Sequence, residues 1–413
     1  MLDPSPKSSE GQDRSIVRKK WRPFRAMDFE TLMYPCFLFC RIIGLFPYTI
    51  NGSTVVLTKR SYITSTLSMI GAGIWGVIVL FEVNIAGDIS FDGVPGALQC
   101  NCYYILGGVI AVITYIMIKP RIDTLQIMLD VSSKLPAESY RKMSKVVHAK
   151  DILGFLFIVI QLYQCFVNSY NFGDTFLKLM TFYLTILVFQ MDMLYMDCVC
   201  VLKACFAQLN DSLLNLRELV VNDEPHLLRR TYHEQRNPHL LMELKALKKR
   251  HLMISDAVHL VNKVFSMQIL TTIVMTFAEI TFGLYFYIVV WQEGTDVINL
   301  EKQIWIKYYI TSVTYYSIKI VLIVWACDTG KDNALQIGTT VHDVLISTSD
   351  KQIKEELQLF SLQILHRENS FNAKGLVVDA TLLTGRFTGN SSGGSSNNGL
   401  ETEFSFNAEA CGV

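Results

Sequence analysis

The chain has 413 residues, of which 51% are hydrophobic and 18% are charged, and its 37 basic residues balance its 37 acidic residues. Soluble domains carry about a quarter charged residues, so this deficit indicates a membrane protein and argues against a soluble one. The first thirty residues are polar and basic, so we expect them not to act as a secretory signal peptide.

The amino-terminal region is predicted to contain a tail and a partly inserted segment. Residues 1–31 are basic and polar, and we expect them to form a disordered cytoplasmic tail. Residues 32–50 are apolar, but Pro35, Arg41 and Pro47 interrupt the run. Irregular backbone with an arginine is unfavourable across a whole bilayer. We therefore predict that 32–50 is a re-entrant or interfacial segment, which returns to the side from which it enters.

Six apolar runs form a predicted membrane domain over residues 66–327. Each is long enough to cross, as a helix, a hydrocarbon core about 30 Å thick. The runs are residues 66–86, 98–118, 151–170, 176–202, 264–291 and 304–327. The predicted fold class is therefore all-α, a polytopic helical bundle embedded in the lipid bilayer.

Lysine and arginine are segregated between alternate connections, which orients the bundle. Segments 1–60, 119–150, 203–263 and 328–383 hold ten, seven, ten and five of them. The other connections are almost bare: residues 87–97 and 171–175 hold none, and residues 292–303 hold only Lys302. Because positive loops stay in the cytoplasm, we predict a cytoplasmic amino terminus and a cytoplasmic helical insert at 203–263.

The cytoplasmic segments show helical periodicity of their own. Apolar residues recur at helical spacing over 239–270, which predicts a long helix that runs into the fifth span. Residues 176–220 would form one helix roughly 65 Å long. Within 328–383, we predict an amphipathic helix at 350–369, followed by a membrane-entry segment. These helices either form a solvated hairpin or meet other subunits, and we favour the second because an apolar stripe in water needs a partner.

The carboxyl-terminal part of this region, "FSLQILHRENSFNAKGLVVDATLL", carries a recognisable pattern of an apolar helix, a glycine, apolar residues, an aspartate and paired leucines. The matching positions are Phe360, Gly375, Asp379, Leu382 and Leu383. The pattern resembles the signature of the insect gustatory receptor family before its last span. The resemblance extends over residues 32–383 and is diffuse outside this motif.

The resemblance implies a ligand-gated, non-selective cation channel built as a homo- or hetero-tetramer in the plasma membrane, in the dendrite of a sensory neuron. It implies that a last span lines the pore, and that earlier spans bind a small-molecule tastant, such as a bitter plant compound or a sugar. It implies no cofactor and no enzymatic activity. In this sequence, residues 384–413 form a polar tail, predicted to be disordered, where the resemblance places the last span.

We expect such a chain to be a truncated form that cannot form the pore alone, through an alternative transcript, an intron read-through or an imperfect gene model. It could instead be a regulatory, non-conducting subunit that joins intact receptors. A helical transporter is a further alternative, but the sequence shows no internal repeat. A G-protein-coupled receptor is disfavoured by the predicted cytoplasmic amino terminus.

Polar and aromatic side chains within the spans are the candidate ligand-binding residues, because intramembrane polar groups are costly. They are Tyr103, Tyr104, Gln161, Gln164, Asn168, Tyr183, Glu279, Tyr308, Thr311 and Tyr315. Glu279 either pairs with a cation or polar group in a ligand cavity or is a structural residue between helices. The tyrosines either contact ligand or follow the ordinary preference of tyrosine for membrane interfaces. Asp192 and Asp197 are expected to be salt-bridged or solvated.

No sequence motif indicates catalysis, a metal site or a cofactor. The ten cysteines lie mostly in apolar runs and are expected to be small buried residues. The basic run "KALKKRH" at 245–251 is expected to lie at the membrane surface rather than to bind nucleic acid.

Overall fold

A computed structural model describes most of the chain, namely residues 22–45, 48–51, 54–86, 93–167, 172–221, 230–292, 300–348 and 350–384. These residues form ten α-helices and two short hairpins. The helices are α1 Phe29–Ile42, α2 Lys59–Phe81, α3 Val94–Ile116, α4 Ile118–Ser132, α5 Ala137–Val167, α6 Phe172–Val221, α7 Arg230–Gln292, α8 Leu300–Ser347, α9 Lys351–Leu365 and α10 Thr381–Thr384. The strands are β1 Tyr48–Asn51 paired with β2 Thr54–Leu57, and β3 Asn372–Ala373 paired with β4 Leu376–Val377, both antiparallel.

In the part of the chain that the structure describes, six helices are long and apolar enough to cross a membrane, and each overlaps one of the six predicted runs. The candidate spans are Tyr62–Ala86, Val94–Ile116, Ala137–Phe166, Leu177–Val220, Pro238–Gln292 and Gln303–Ser347. The first of them includes one π-helical turn, Glu82–Ala86, that continues α2. The predicted all-α, polytopic class is confirmed.

α1 is a regular helix where the sequence predicted irregular backbone at 32–50. It begins after Asp28, whose carboxylate accepts a hydrogen bond from the backbone N–H of Thr31, while the Thr31 hydroxyl lies 3.2 Å from the Asp28 backbone nitrogen. The helix continues through Pro35, and its 14 residues reach about 21 Å. That length is too short to cross a bilayer. The β1–β2 hairpin that follows was not predicted.

Three helices extend well beyond the predicted spans. α6, α7 and α8 have 50, 63 and 48 residues. The continuous helices predicted at 176–220 and 239–270 are confirmed. The extension of α8 from residue 328 to Ser347 was not predicted, and neither was the β3–β4 hairpin in the segment expected to enter the membrane. The tail 384–413 lies outside the described residues except for Thr384, and 1–21 of the amino-terminal tail also lie outside them.

α6 is the central helix of the bundle, and it packs against α8, α7, α5 and α3. Most of its side chains between Leu184 and Leu213 are buried. α2 lies at the periphery, where apolar side chains such as Leu67 and Ile74 are exposed. An exposed apolar helix face is the surface that contacts lipid in a membrane protein.

We call the end of the bundle where α6 and α8 begin the upper end, and the opposite end the lower end. At the lower end, α9 packs against α7 and α8 and buries Ile353, Leu357 and Phe360. Asp350 caps α9 by accepting hydrogen bonds from the backbone N–H groups of Gln352 and Ile353. The amphipathic helix predicted at 350–369 is thus present, and it ends four residues earlier.

Two aspartates of α6 form buried ion pairs, as expected for residues inside a membrane bundle. Asp192 lies 3.2 Å from Lys319 of α8. Asp197 lies 2.7 Å from Lys150, which also pairs with Asp151 at 2.6 Å. A buried charge is tolerated when a partner and hydrogen bonds replace its hydration.

Candidate ligand-binding site

Two adjacent tyrosines of α3 anchor a polar cluster between α3 and α6. The Tyr103 hydroxyl donates to the backbone oxygen of Thr181 at 2.9 Å and lies 2.6 Å from the Thr185 hydroxyl. The Tyr104 hydroxyl lies 2.8 Å from the Thr181 hydroxyl, and the two tyrosine rings meet edge to face with centroids 5.6 Å apart. Both rings are buried, so these hydrogen bonds supply the polar partners that buried hydroxyls require.

Glu279 of α7 lies beside this cluster. Its carboxylate accepts a hydrogen bond of 3.0 Å from the Gln99 amide, one helical turn before Tyr103. The Glu279 side chain is buried. Its charge interacts with the hydroxyls of Tyr103, Tyr308 and Tyr316. A carboxylate from α7 therefore shares one region with phenols from α3 and α8.

α8 contributes an aromatic side to the same region. Tyr315 and Tyr316 are buried, with ring centroids 5.0 Å apart. The Lys319 ammonium lies 5.1 Å from the centroid of the Tyr316 ring and 5.9 Å from that of Tyr315. Nearer the upper end, Tyr308 meets Trp305 edge to face. Tyr315 is thus buried within the protein, and Tyr308 is partly buried.

α5 approaches α8 at the edge of the cluster. The Gln164 amide lies 3.5 Å from the Thr311 hydroxyl, and the Cys165 thiol contacts Tyr308. Gln161 is partly buried one turn away, and its amide nitrogen has no hydrogen-bond partner among the described residues. Asn168 lies outside the described residues.

Tyr183 is separate from the cluster. Its hydroxyl lies 2.7 Å from the Ser68 hydroxyl of α2, on another side of α6. Nine of the ten candidates therefore lie among the described residues. Five of them converge in the cluster, namely Tyr103, Tyr104, Glu279, Tyr308 and Tyr315. Three lie at the edge between α5 and α8, namely Gln161, Gln164 and Thr311, and Tyr183 faces α2. The prediction missed Gln99, although its position one turn from Tyr103 was a signal.

The geometry provides the chemistry that small-molecule recognition needs. Pockets for such molecules combine aromatic walls with a few polar groups that fix orientation. Here, a buried carboxylate and its amide donor lie in the same region as tyrosines of α3 and α8. The arrangement offers hydrogen bonds, ring stacking and one negative charge to a ligand.

The motif residues lie at the lower end and have structural roles. Lys374 and Gly375 both have positive φ, 54° and 92°, and form the two-residue turn between β3 and β4. This turn favours glycine because it requires left-handed backbone. Phe360 is buried in α9, and Leu382 packs against the core. The side chain of Leu383 lies outside the part of the chain that the structure describes.

The hairpin carrying the motif is held by side chains from two long helices. Asn262 of α7 donates to the Ser370 backbone oxygen at 2.7 Å and accepts from the Asn372 backbone N–H at 3.3 Å. Lys331 of α8 pairs with Asp379 at 3.1 Å. Asp379 also accepts from the backbone N–H of Thr381 at the start of α10. The motif therefore fixes the segment after α9 to α7 and α8.

Comparisons with known proteins agree with this architecture. The chain matches the family of 7tm chemosensory receptors over residues 33–387. It is 30% identical over 134 residues to putative gustatory receptor 28b of Drosophila melanogaster, a match that covers 32% of this chain and 28% of that relative. The chain thus matches less than a third of the length of this curated relative.

Solved structures share the fold. The insect olfactory receptor OR5 from Machilis hrabei superposes with a TM-score of 0.62 at 11% identity, and the match covers 86% of this chain and 93% of that one. The same receptor in complex with eugenol matches over the same shares with a TM-score of 0.58 and 11% identity. Identity this low establishes the fold alone.

The match along most of the chain confirms the resemblance to insect chemosensory receptors, and with it the interpretation as a receptor rather than an enzyme. The six apolar helices agree with a multi-pass membrane protein. The chain belongs to the 7tm chemosensory receptor family.

Proposed function

We propose that the chain is a gustatory receptor subunit of a ligand-gated, non-selective cation channel that detects small molecules. The observation that carries this proposal is the convergence of Tyr103, Glu279 and Tyr308 from three helices into one aromatic and polar cluster, in which Tyr103 and Glu279 are buried. Ionisable and polar groups inside a membrane bundle are energetically costly. Their presence here therefore points to a role in binding a ligand or in a conformational change. The binding of eugenol by the structurally similar OR5 supports a small organic ligand. The aromatic lining favours a bitter plant compound over a sugar.

We place the upper end outside the cell and the amino terminus in the cytoplasm, in the plasma membrane of a sensory dendrite. The segregation of lysine and arginine supports this orientation, because the connections at the lower end carry nearly all of them. An epitope tag at the amino terminus tests it. The tag should be labelled only in permeabilised cells, and labelling of intact cells would contradict the orientation.

The lower end supports assembly into a homo- or hetero-tetramer. Leu335 and Ile346 of α8 are 62% and 72% exposed, and Leu362 and Leu365 of α9 are 52% and 77% exposed. These positions lie beyond the predicted sixth span, where an apolar surface would face water. Exposed apolar surface of this kind marks an interface between proteins.

We further propose that a polypeptide of this sequence does not conduct ions by itself. Residues 385–413 are rich in serine, glycine and asparagine and contain no apolar run that could line a pore as a membrane helix. A second candidate function follows from the same residues together with the exposed apolar surface of α8 and α9. The chain would then assemble with intact receptors and reduce their conductance.

The test compares three expressions in the same cells: the chain alone, a chimera in which 385–413 are replaced by a pore-lining span from another family member, and the chain together with an intact receptor. Surface labelling controls for equal delivery to the membrane. We expect ligand-evoked cation current from the chimera alone and none from the chain. Current from the chain alone would contradict the need for the added span, and a reduced current of the intact receptor would favour the regulatory role.

A further inference from the structure

Five carboxylates are buried in the part of the chain that the structure describes, and four of them have a lysine partner. Asp151 and Asp197 pair with Lys150, Asp192 pairs with Lys319, and Asp379 pairs with Lys331, at 2.6 to 3.2 Å. Glu279 is the fifth, at 6% exposure. Among the described residues, no lysine, arginine or histidine nitrogen lies within 4 Å of its carboxylate.

The groups that surround Glu279 do not neutralise it. The Gln99 amide donates one hydrogen bond to Oε2 but carries no charge. The charge of Lys319 acts on Glu279, but Lys319 forms no ion pair with it. That ammonium is already paired with Asp192 at 3.2 Å and lies against the rings of Tyr315 and Tyr316. Glu279, Asp192 and Lys319 together therefore carry one excess negative charge when ionised.

An unpaired carboxylate in a low-dielectric interior is unfavourable, and a cation that enters the site removes this cost. The aromatic side chains at the same place favour a cation as well, because the faces of tyrosine rings attract ammonium groups. Tyr103, Tyr308 and Tyr316 lie near enough for the charge of Glu279 to act on their hydroxyls. A carboxylate beside tyrosines is the combination that recognises an organic ammonium ion.

We propose that the ligand of this site is a protonated organic amine, whose ammonium group pairs with Glu279 and whose apolar part lies among the tyrosines of α3 and α8. This inference rests on the proposed function and narrows its ligand class. A neutral polyol or alcohol would leave the carboxylate without a counter-charge. The site therefore discriminates by charge as well as by shape.

The test uses purified full-length chain in detergent micelles and matched pairs of probes at neutral pH. Each pair has one hydrocarbon part and differs in its polar group: benzylamine with benzyl alcohol, 2-phenylethylamine with 2-phenylethanol, and 1-naphthylmethylamine with 1-naphthalenemethanol. The readout is the ligand-induced shift in thermal unfolding temperature over a concentration series, which gives an apparent affinity for each probe. We expect at least one amine to bind at least about tenfold more tightly than its alcohol.

Two variants locate the effect. Glu279→Gln keeps the shape and the ability to accept a hydrogen bond from Gln99, and it should abolish the preference for the amine while leaving the alcohol unchanged. Glu138→Gln is the matched control, since Glu138 forms an exposed pair with Lys142 at the start of α5, away from the cluster. It should leave both affinities unchanged. The comparison of amine with alcohol in the unaltered chain remains decisive if Glu279→Gln fails to fold.

The outcomes separate this inference from the proposed function. Equal binding of amines and alcohols, or a preference for amines that persists in Glu279→Gln, would overturn the ammonium site. In the first of these cases the chain would still bind small molecules, so the receptor function would stand. If no amine or alcohol binds and the chimera with a pore-lining span responds to no tastant, the ligand site and the receptor function both fail.

Discussion

The ammonium of Lys319 lies 3.2 Å from Asp192 Oδ2, and both side chains are at most 2% exposed. Thr272 donates a further hydrogen bond to Asp192 at 3.0 Å, so the pair links α6, α7 and α8 in the middle of the bundle. A buried ion pair adds little stability compared with well-packed apolar residues of similar size. Removing one partner, however, leaves the other as a buried charge without a counter-charge, which is strongly destabilising.

We therefore expect Lys319→Met to destabilise the protein by about 3 kcal/mol or more, because Asp192 would remain buried without its counter-charge. The double variant Asp192→Asn with Lys319→Met should recover much of that loss. The double-mutant cycle compares the unaltered chain, the two single variants and the double variant. Their free energies of unfolding in detergent give the coupling energy of the pair. Additive effects of the two changes would show that the pair is not coupled.

Close helix packing at Gly154 gives a second prediction. A Cβ atom at this position would clash with Cε2 of Phe189, so α5 approaches α6 this closely only because the residue is glycine. Gly154→Ala should lower stability by about 1–3 kcal/mol through this clash. Gly76→Ala in α2 is the control, since nothing lies within 4 Å of its Cβ, and it should be neutral or slightly stabilising. Equal unfolding temperatures of the two variants would contradict the packing.

His251 gives a prediction about acid pH. It lies in the extension of α7 outside the predicted fifth span, and its Nδ1 is 3.0 Å from the Gln363 amide of α9. Burial, and then the charge of Arg367, lowers the pKa of His251 to about 4, against an ordinary value of 6.5. The folded chain therefore keeps the ring neutral at pH values where the unfolded chain protonates it.

The contribution of His251 to the free energy of unfolding is fully present above pH 6.5. It is lost as the pH falls towards 4, by about 3 kcal/mol in total. His251→Gln removes the titration and should flatten this part of the pH profile. Circular dichroism melts between pH 7 and pH 4 would measure both profiles. An unaltered slope in the variant would assign the acid sensitivity to other groups.

The motif hairpin gives a fourth prediction. Gly375 has a φ of 92°, which a residue with a Cβ adopts at a cost, although the space around it is open. Gly375→Ala should therefore destabilise the protein by about 1 kcal/mol through backbone strain alone. Gly375→Asn should cost less, because asparagine tolerates left-handed backbone. The order Ala below Asn below Gly in unfolding temperature is the expected result, and equal values for all three would exclude a strained turn.

Asp379 adds a pH dependence at the same hairpin. Burial opposes its ionisation, but hydrogen bonds from Thr381 and Lys331 outweigh burial and hold the pKa of Asp379 below its ordinary value of 3.8. Its contribution is therefore complete above about pH 4 and is lost below the lowered pKa. Asp379→Asn should lower the unfolding temperature at neutral pH and converge with the unaltered chain in strong acid.

The long helices were predictable because their apolar spacing is regular. α6 and α7 follow from the periodicity over 176–220 and 239–270. The extension of α8 was missed because Asp328, Lys331 and Asp332 resemble a polar connection. The helix continues there because Ile337, Val341 and Val344 bury one face at helical spacing.

Contacts between residues far apart in the chain could not be predicted from the sequence. Gln99 and Glu279 are separated by 180 positions, so nothing local indicates that they meet. Tyr183 was grouped with the other tyrosines because it lies within a predicted span, yet it points to Ser68 because its face of α6 is turned towards α2. Helix rotation about its own axis decides which polar groups share a site, and packing against neighbours sets that rotation.

α6 runs without interruption for 50 residues, or about 75 Å, from one end of the bundle to the other. A rod of that length acts as a lever: a tilt of one degree about its upper end displaces its lower end by about 1.3 Å. A small tilt of α6 at the tyrosine cluster would thus displace the lower end of the helix by a distance comparable to a covalent bond length.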